Sequence, residues 1–443
     1  MSDLLSIGRS ALLVNNRALE IVGSNVANAE NPDYVRRTLS VGDTTIDGST
    51  NPIYRNFTGT GGVAINGIVR ASDQFLEAAT RQTGANRVQT DVLVQWLDQG
   101  EIALANNQSD VGSQLTQVFA SAEELSAVPF EPALRSQFLG DIQSTVSRFN
   151  QTASNLSATK TLIDGAATQE VTELNAALDE LAAINEKLRP TRSGTAQNTA
   201  LLDQRDAALT VITEKLDVDI SFQDNGLVDI SRNGTSLVTF DNASPITFVA
   251  NPGAGFDIEI GGSVQPSPTN GTLGGLYRAQ SDVAAVSTNL DALAVQFADE
   301  LNTWQANGRT DAGAAGAAIV SHGGTAASLT ATGLTADDLA LAASGGAANG
   351  NILALADLRT PTGTEQRYEN IVVGQAQNLL SARSESEAAT AFDRATRESR
   401  DRVSAVDLDR EAADLIRLQQ AYEASARIIQ VARETVQSVL AIF

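Results

Sequence analysis

Cysteine is absent from the 443 residues, which removes disulfides, thiolate nucleophiles and every cysteine-containing zinc or iron-sulfur site. Histidine is almost absent: His322 stands alone in Ser321-His322-Gly323-Gly324, with no carboxylate nearby in sequence, and reads as a solvated loop residue rather than a base or metal ligand. No apolar run reaches membrane-spanning length. The start, Met1-Ser2-Asp3-Leu4-Leu5-Ser6-Ile7-Gly8-Arg9, lacks the basic opening, apolar core and small-residue cleavage site of a signal peptide. The default location is therefore the cytoplasm, unless the chain leaves the cell by a route without a cleaved leader. Positive charge is scarce: 30 Lys and Arg against 53 Asp and Glu leave a net charge of -23, which repels nucleic acid and anionic membrane and keeps the chain soluble.

The common catalytic patterns are missing as well. Gly59-Thr60-Gly61-Gly62 lacks the Lys-Ser/Thr of a phosphate loop and opens no helix, so it reads as turn glycine. Glu123-Glu124 and Asp337-Asp338 lack the alternating Asp/Asn-plus-Gly pattern of a calcium loop and read as solvated faces. Asp219, Asp224 and Asp229 form no convincing acid/base pair in sequence. Trp96 and Trp304 lie on helical patterns and belong to a core or an interface. The expectation is a protein without catalytic residues, metal or cofactor.

What is present is a 42% hydrophobic chain long enough for two to four domains. Apolar residues at helical spacing predict helices over 4–28, 72–105, 111–125, 132–188, 198–216, 276–304, 365–403 and 408–442. Asn31-Pro32-Asp33 supplies a turn after the first. Residues 40–66, rich in Gly, Thr and Asn, read as a loop with minor β structure. Over 217–272 the period changes to two, with Asn-Gly and Pro-Gly turns between short alternating runs, which predicts a small β domain. The Ala/Gly-rich stretch 312–349 has little side-chain bulk and reads as mobile. The fold class is mainly α with a small β insertion, elongated and multidomain.

Both ends carry seven-residue repeats. Leu5, Leu12, Leu19 and Val26 recur near the start, with Ala11, Ala18 and Val22 in the adjacent stripe. Near the end Leu408, Leu415, Tyr422, Ile429, Val436 and Phe443 recur, with Ala412, Leu418, Ala426, Ala432 and Leu440 beside them. Six positions in strict register predict a seam facing other helices, one that orders when many subunits pack together.

Ser10-Ala11-Leu12-Leu13, Ala18-Leu19, Ser24-Asn25-Val26-Ala27-Asn28 and Asn31-Pro32-Asp33-Tyr34-Val35-Arg36 resemble the N-terminal signature of the flagellar axial proteins of rod, hook and hook-associated type. The match departs at Asp33, where that family usually has glycine. Val406-Asp407-Leu408-Asp409 and Leu418-Gln419-Gln420-Ala421-Tyr422-Glu423-Ala424-Ser425-Ala426-Arg427 are most similar to the hook-associated protein 1 family. Gly67-Ile68-Val69-Arg70, Leu201-Leu202-Asp203-Gln204-Arg205-Asp206, Leu273-Gly274-Gly275-Leu276 and Leu353-Ala354-Leu355-Ala356-Asp357-Leu358 agree, so the resemblance spans nearly the whole chain.

The resemblance implies a structural subunit at the hook-filament junction of the extracellular bacterial flagellum, secreted through the type III export apparatus and held beforehand by an export chaperone at the C-terminal helix. Its partners would be itself, hook protein and the next hook-associated junction protein. It implies three layers: a terminal coiled-coil domain of 1–36 plus 404–443, a helical domain of 37–216 plus 274–403 that includes 310–350, and one outer β domain of 217–273. It adds Asn25, Asn28, Pro32, Tyr34 and Gln420 to the heptad residues as assembly positions, and places hinges at about 34–40 and 399–406. A hook or distal-rod protein shares the terminal signature but generally lacks the long central helical region. A secreted enzyme on axial-protein termini is the remote alternative.

Overall fold

In the computed structural model, residues 2–45, 60–104, 110–251 and 255–440 are described. Positions 46–59, 105, 441–443 and the Pro252-Gly253 turn, to which some expectations apply, lie outside them. Along the chain run α1 (Ser2–Ala27), the strands β1 (Arg37–Thr45) and β2 (Thr60–Arg70), then α2 (Gln74–Leu104), α3 (Val111–Ala127), α4 (Pro132–Leu188) and α5 (Ala196–Lys215). Seven short strands follow, β3 (Asp219–Phe222), β4 (Val228–Arg232), β5 (Thr235–Thr239), β6 (Asn242–Ala243), β7 (Ile246–Ala250), β8 (Phe256–Ile260) and β9 (Ser263–Gln265), then α6 (Gly271–Asn307), the two-residue strands β10 (Val320–Ser321) and β11 (Thr330–Ala331), α7 (Gly350–Ala354), α8 (Thr364–Ser404) and α9 (Leu408–Leu440).

Helix α4 is the spine. Its 57 residues extend roughly 85 Å at 1.5 Å per residue, which makes the molecule long. Ile142, Phe149, Leu156 and Ile163 repeat every seven residues on its buried face. That stripe meets α6, where Phe297 stacks at 5.7 Å on Phe149 and Trp304 sits edge-on to Phe138 at 5.8 Å. Pro132 occupies the first turn, where its missing N–H costs no helical bond.

The β strands form a four-stranded sheet in the order β3-β4-β5-β6 and a three-stranded sheet in the order β7-β8-β9, all antiparallel. Asn233 and Gly234, with φ of 48° and 80°, make the tight turn that joins β4 (Val228–Arg232) to β5 (Thr235–Thr239). These sheets share their core with the helices. Asn185 of α4 donates from Nδ2 to the carbonyls of Val228 and Phe240 at 2.8 Å and accepts from the Val228 N–H at 3.1 Å. Asn175, ten residues earlier on α4, exchanges two 2.8 Å bonds with the backbone of Ile246. The amide side chains thus act as an extra strand edge and fasten both sheets to the spine.

The expected mobility of 312–349 is corrected. Ile319, Val320, Leu329, Leu339 and Leu341 are buried in the main core. Asn302 of α6 bonds the backbone of Ile319 and Val320, Gln305 bonds that of Asp338 and Ala340, and the Trp304 indole N–H donates to Asn351 at 2.6 Å. Few but well-placed apolar residues, plus amides at the end of α6, give the segment its order. His322 is placed beside a carboxylate that local sequence did not reveal, 3.2 Å from Asp299. Trp96 is half-buried against the core.

Candidate assembly interface

Helix α1 lies along α9, so the two ends of the chain meet. The seam turned inward is not the 408-415-422-429-436 register but its neighbour: Glu411, Leu418, Ser425 and Ala432, seven apart, are buried. They face a stripe of α1 that includes Gly8, Asn15, Val22 and Asn25. The physical reason is size. A Cβ on Gly8 would stand 2.7 Å from Cγ1 of Ile429, and Asn15 Nδ2 reaches Ser425 Oγ at 3.2 Å, so small residues set the helix spacing. Bulkier residues are left on the flanks.

At the base of this pair the chain turns through Asn31-Pro32-Asp33. The Asp33 N–H donates to Asn31 Oδ1 at 3.1 Å, and Asp33 has no positive φ, so this turn does not require the glycine of the resembling family. Asn28 closes the end of α1 by donating from Nδ2 to the Ser24 carbonyl at 2.8 Å. Beyond the turn, Tyr34, Val35 and Arg36 are buried.

Asn25 is the hub of the joint. Its Oδ1 accepts from the Tyr34 hydroxyl at 2.9 Å and the Arg37 N–H at 3.1 Å, and its Nδ2 donates to the Arg37 carbonyl and to Glu411 Oε2, both at 2.9 Å. Arg36 Nε donates to the other Glu411 oxygen at 2.7 Å. Glu411 is 0% exposed, and both its oxygens are satisfied from the other end of the chain. Burial pushes the Tyr34 hydroxyl upward, against the opposing effect of its bond to Ser24.

A second cluster ties the β1–β2 ribbon to α5. Asp203 accepts from Arg37 at 2.6 Å and Arg70 at 2.8 Å, and Arg70 also reaches Asp206 at 2.7 Å. The Arg37 guanidinium lies 4.6 Å from the centre of the Tyr34 ring. Gly194, at φ +78°, lets the ribbon come close: its Cα side faces Gly67, and its carbonyl accepts from the Ile68 N–H at 2.8 Å. The expected hinges at 34–40 and 399–406 are therefore one braced joint, because the Arg36 N–H donates to the Ser404 carbonyl at 2.9 Å and the Ala71 N–H to the Arg36 carbonyl at 2.8 Å.

The sequence-derived positions fall into three groups. Asn25 and Tyr34 are buried in the joint, while Asn28 is a partly buried cap and Pro32 is exposed in the turn. Leu5, Leu12, Leu19, Leu415, Ile429 and Val436 are half-buried along the flanks of the paired helices. Val26, Leu408, Gln420 and Tyr422 face outward. Leu4, Leu13, Ile416, Ile428 and Val431 are exposed on the same two helices. The pair thus satisfies one stripe and leaves a second apolar surface open.

Sequence reasoning missed Glu411, which reads locally as a solvated acid, although its seven-residue register with Leu418, Ser425 and Ala432 was a usable signal. Asp203, Arg36 and Arg70 stand in motifs whose local sequence names no partner for them. Among the described residues no three His, Cys, Asp or Glu side chains are grouped to hold a metal, and no helix is long and apolar enough to cross a membrane.

Comparison with known proteins identifies matches over most of the chain. The family model described as flagellar hook-associated protein FlgK helical domain matches residues 97–320, and that of the flagellar basal body rod FlgEFG protein C-terminal matches 400–442. Flagellar hook-associated protein 1 of Salmonella typhimurium is 27% identical over 70% of this chain and 57% of its own length. The Bacillus subtilis protein of the same name is 24% identical over 98% of this chain and 97% of its own. The chain spans 57% of the length of the Salmonella relative. A solved structure, the flagellar hook junction protein FlgK from Burkholderia pseudomallei, aligns with a TM-score of 0.48 at 23% identity, over 57% of this chain and 47% of that one.

Proposed function

The chain belongs to the flagellar hook-associated protein FlgK family, and from that premise we propose that it is a structural subunit, not an enzyme, that joins hook to filament by polymerising through its terminal helices. The observation that carries this reading is the apolar surface left open on the paired α1 and α9. A helical polymer forms when one patch of a subunit meets a different patch on its neighbour without closing a ring. The open flank, with Leu5, Leu12 and Leu19 on one helix and Leu415 and Tyr422 on the other, suits such a contact.

The partners proposed are further copies of the chain, the hook protein below and the next hook-associated protein above, with a chaperone at α9 and passage through the type III export apparatus before assembly. The polymer lies in the extracellular flagellum. Deleting the gene tests this reading: hooks should persist, filaments should be lost, and flagellin should appear in the medium. Normal filaments in the deletion strain would overturn it.

Leu415→Asp should abolish incorporation while leaving the β strands folded, because this flank residue is half-buried in the single chain and available to a neighbour; Ile429→Asp should do so too, in part by disturbing the contact of Ile429 with Gly8 of α1. Circular dichroism and complementation of the deletion strain check this. Normal filaments from both variants would remove the flank from the interface.

A further inference from the structure

Between β2, the start of α2 and the first half of α5 lies a pocket of about 350 Å³. Arg81 of α2 lines it and is only 6% exposed, yet among the described residues its guanidinium makes no hydrogen bond or close ion pair and is attracted to Asp206 and Glu77 only through space. Asn198 of α5, also buried, lines the same pocket with its Nδ2 lacking any acceptor. These are independent observations on different helices, and both leave donors without acceptors. A buried donor left unmade, as at Asn198, costs about 1–3 kcal/mol, and the Arg81 guanidinium, which keeps contact with solvent, has no hydrogen-bond partner beside it, so folding alone gives no reason to place both around one cavity.

The other charges of the pocket are largely committed. Arg70 binds Asp203 and Asp206, and Arg205 binds Asp206 at 2.6 Å and the Gly226 carbonyl at 2.8 Å while lying 5.1 Å from the centre of the Phe222 ring. Glu77, one turn before Arg81, is the remaining acid, and burial pushes its carboxyl upward. Three guanidiniums thus face two carboxylates. The rim is apolar, with Val69 and Phe222 exposed.

We propose that this pocket receives the carboxylate of an Asp or Glu side chain from a second copy of the chain, with Arg81 and Asn198 as its donors. A carboxylate only accepts hydrogen bonds, which complements the spare donors of Arg81 and Asn198, and a planar guanidinium binds it in a two-pronged geometry; Glu77, the acid of the same pocket, is outnumbered by the three guanidiniums. The chain itself supplies the ligand chemistry: with 53 acidic residues against 30 basic, a neighbouring copy presents acids over much of its surface. The contact rests on the polymer proposed above. It would lock the ribbon and α5 of one subunit onto the next, outside the terminal helices.

The test has two arms on the full-length chain. Thermal melts at fixed ionic strength with N-acetylglutamate amide should raise Tm by several degrees, whereas neutral N-acetylglutamine amide should not, and Arg81→Met should abolish the difference. Arg81→Met alone should match or exceed the wild-type Tm, since it removes a buried charge and keeps the apolar stem; a purely structural arginine would lower it. In the second arm, Arg81→Met subunits should join the polymer at least tenfold less well. An equal effect of the two amides, a shift retained in the variant, or a lowered Tm for the variant alone overturns the site. Binding of the probe with unimpaired assembly of the variant makes the pocket a small-carboxylate site and overturns the neighbouring copy as its ligand. Failure of wild-type chain itself to polymerise would instead strike the function on which this contact depends.

Discussion

Glu411→Ala is expected to free α9 from the joint. Glu411 is the acceptor for Arg36 at 2.7 Å and Asn25 at 2.9 Å, and its removal leaves a nearly buried guanidinium whose remaining acidic partner, Asp414, is 3.5 Å away. Breaking a buried pair from one side costs about 3–5 kcal/mol, most of it from the charge left behind. Because the pair of terminal helices rests on few buried residues, that loss should fall locally rather than on the α4–α6 core. Amides of α1 and α9 should exchange with solvent about 100-fold faster or more, following the same energy. Amides of α4 should be unchanged. Equal protection of α1 and α9 in variant and wild type would show that the joint does not hold the ends together. Assembly should fail along with it, since a neighbour would no longer meet a fixed helix pair.

Leu418→Asp should have an effect of similar size by a different route. Leu418 is the large apolar residue of the inward seam, between Glu411 and Ser425. Deleting a buried leucine side chain costs about 2–5 kcal/mol, and introducing a carboxylate adds a desolvation cost. Leu418→Met, which conserves volume, should cost less than about 1.5 kcal/mol. The informative contrast is with Leu415→Asp. Both variants should stop incorporation, but only Leu418→Asp should strip α9 from α1 in the single chain, as read by hydrogen exchange. If the two variants behaved alike in the monomer, the division of α9 into an inward seam and an outward flank would be wrong.

The helices were legible to within a few residues because their signals are local. Pro132 starts α4 and Pro190 follows its end, and the apolar period runs unbroken between them. The ribbon β1–β2 shows in the sequence only as a loop with minor β structure, since much of its pairing joins strands separated by residues that carry no apolar pattern. The mobility assigned to 312–349 failed for a related reason: Asn302, Gln305 and Trp304, which hold that segment, sit on α6 and read locally as ordinary helix positions. The leucine repeat and the seam that closes on α1 occupy different stripes of α9, because leucine marks hydrophobicity whereas close helix approach is set by Gly8, Ser425 and Ala432.

By itself the sequence determined the helical class, the β insertion, the amphipathic ends, the lack of cysteine chemistry and the likeness to flagellar axial proteins. Each follows from spacing, composition or motif within a short window. Only the tertiary structure decided which stripe of α9 turns inward, that Glu411 is buried, that Arg36 joins 34–40 and 399–406 into one brace, and that among the described residues Arg81 makes no hydrogen bond. Those outcomes depend on side chains that meet across as many as 386 positions, as Asn25 meets Glu411, and a helical period specifies which face is apolar but not what that face will touch.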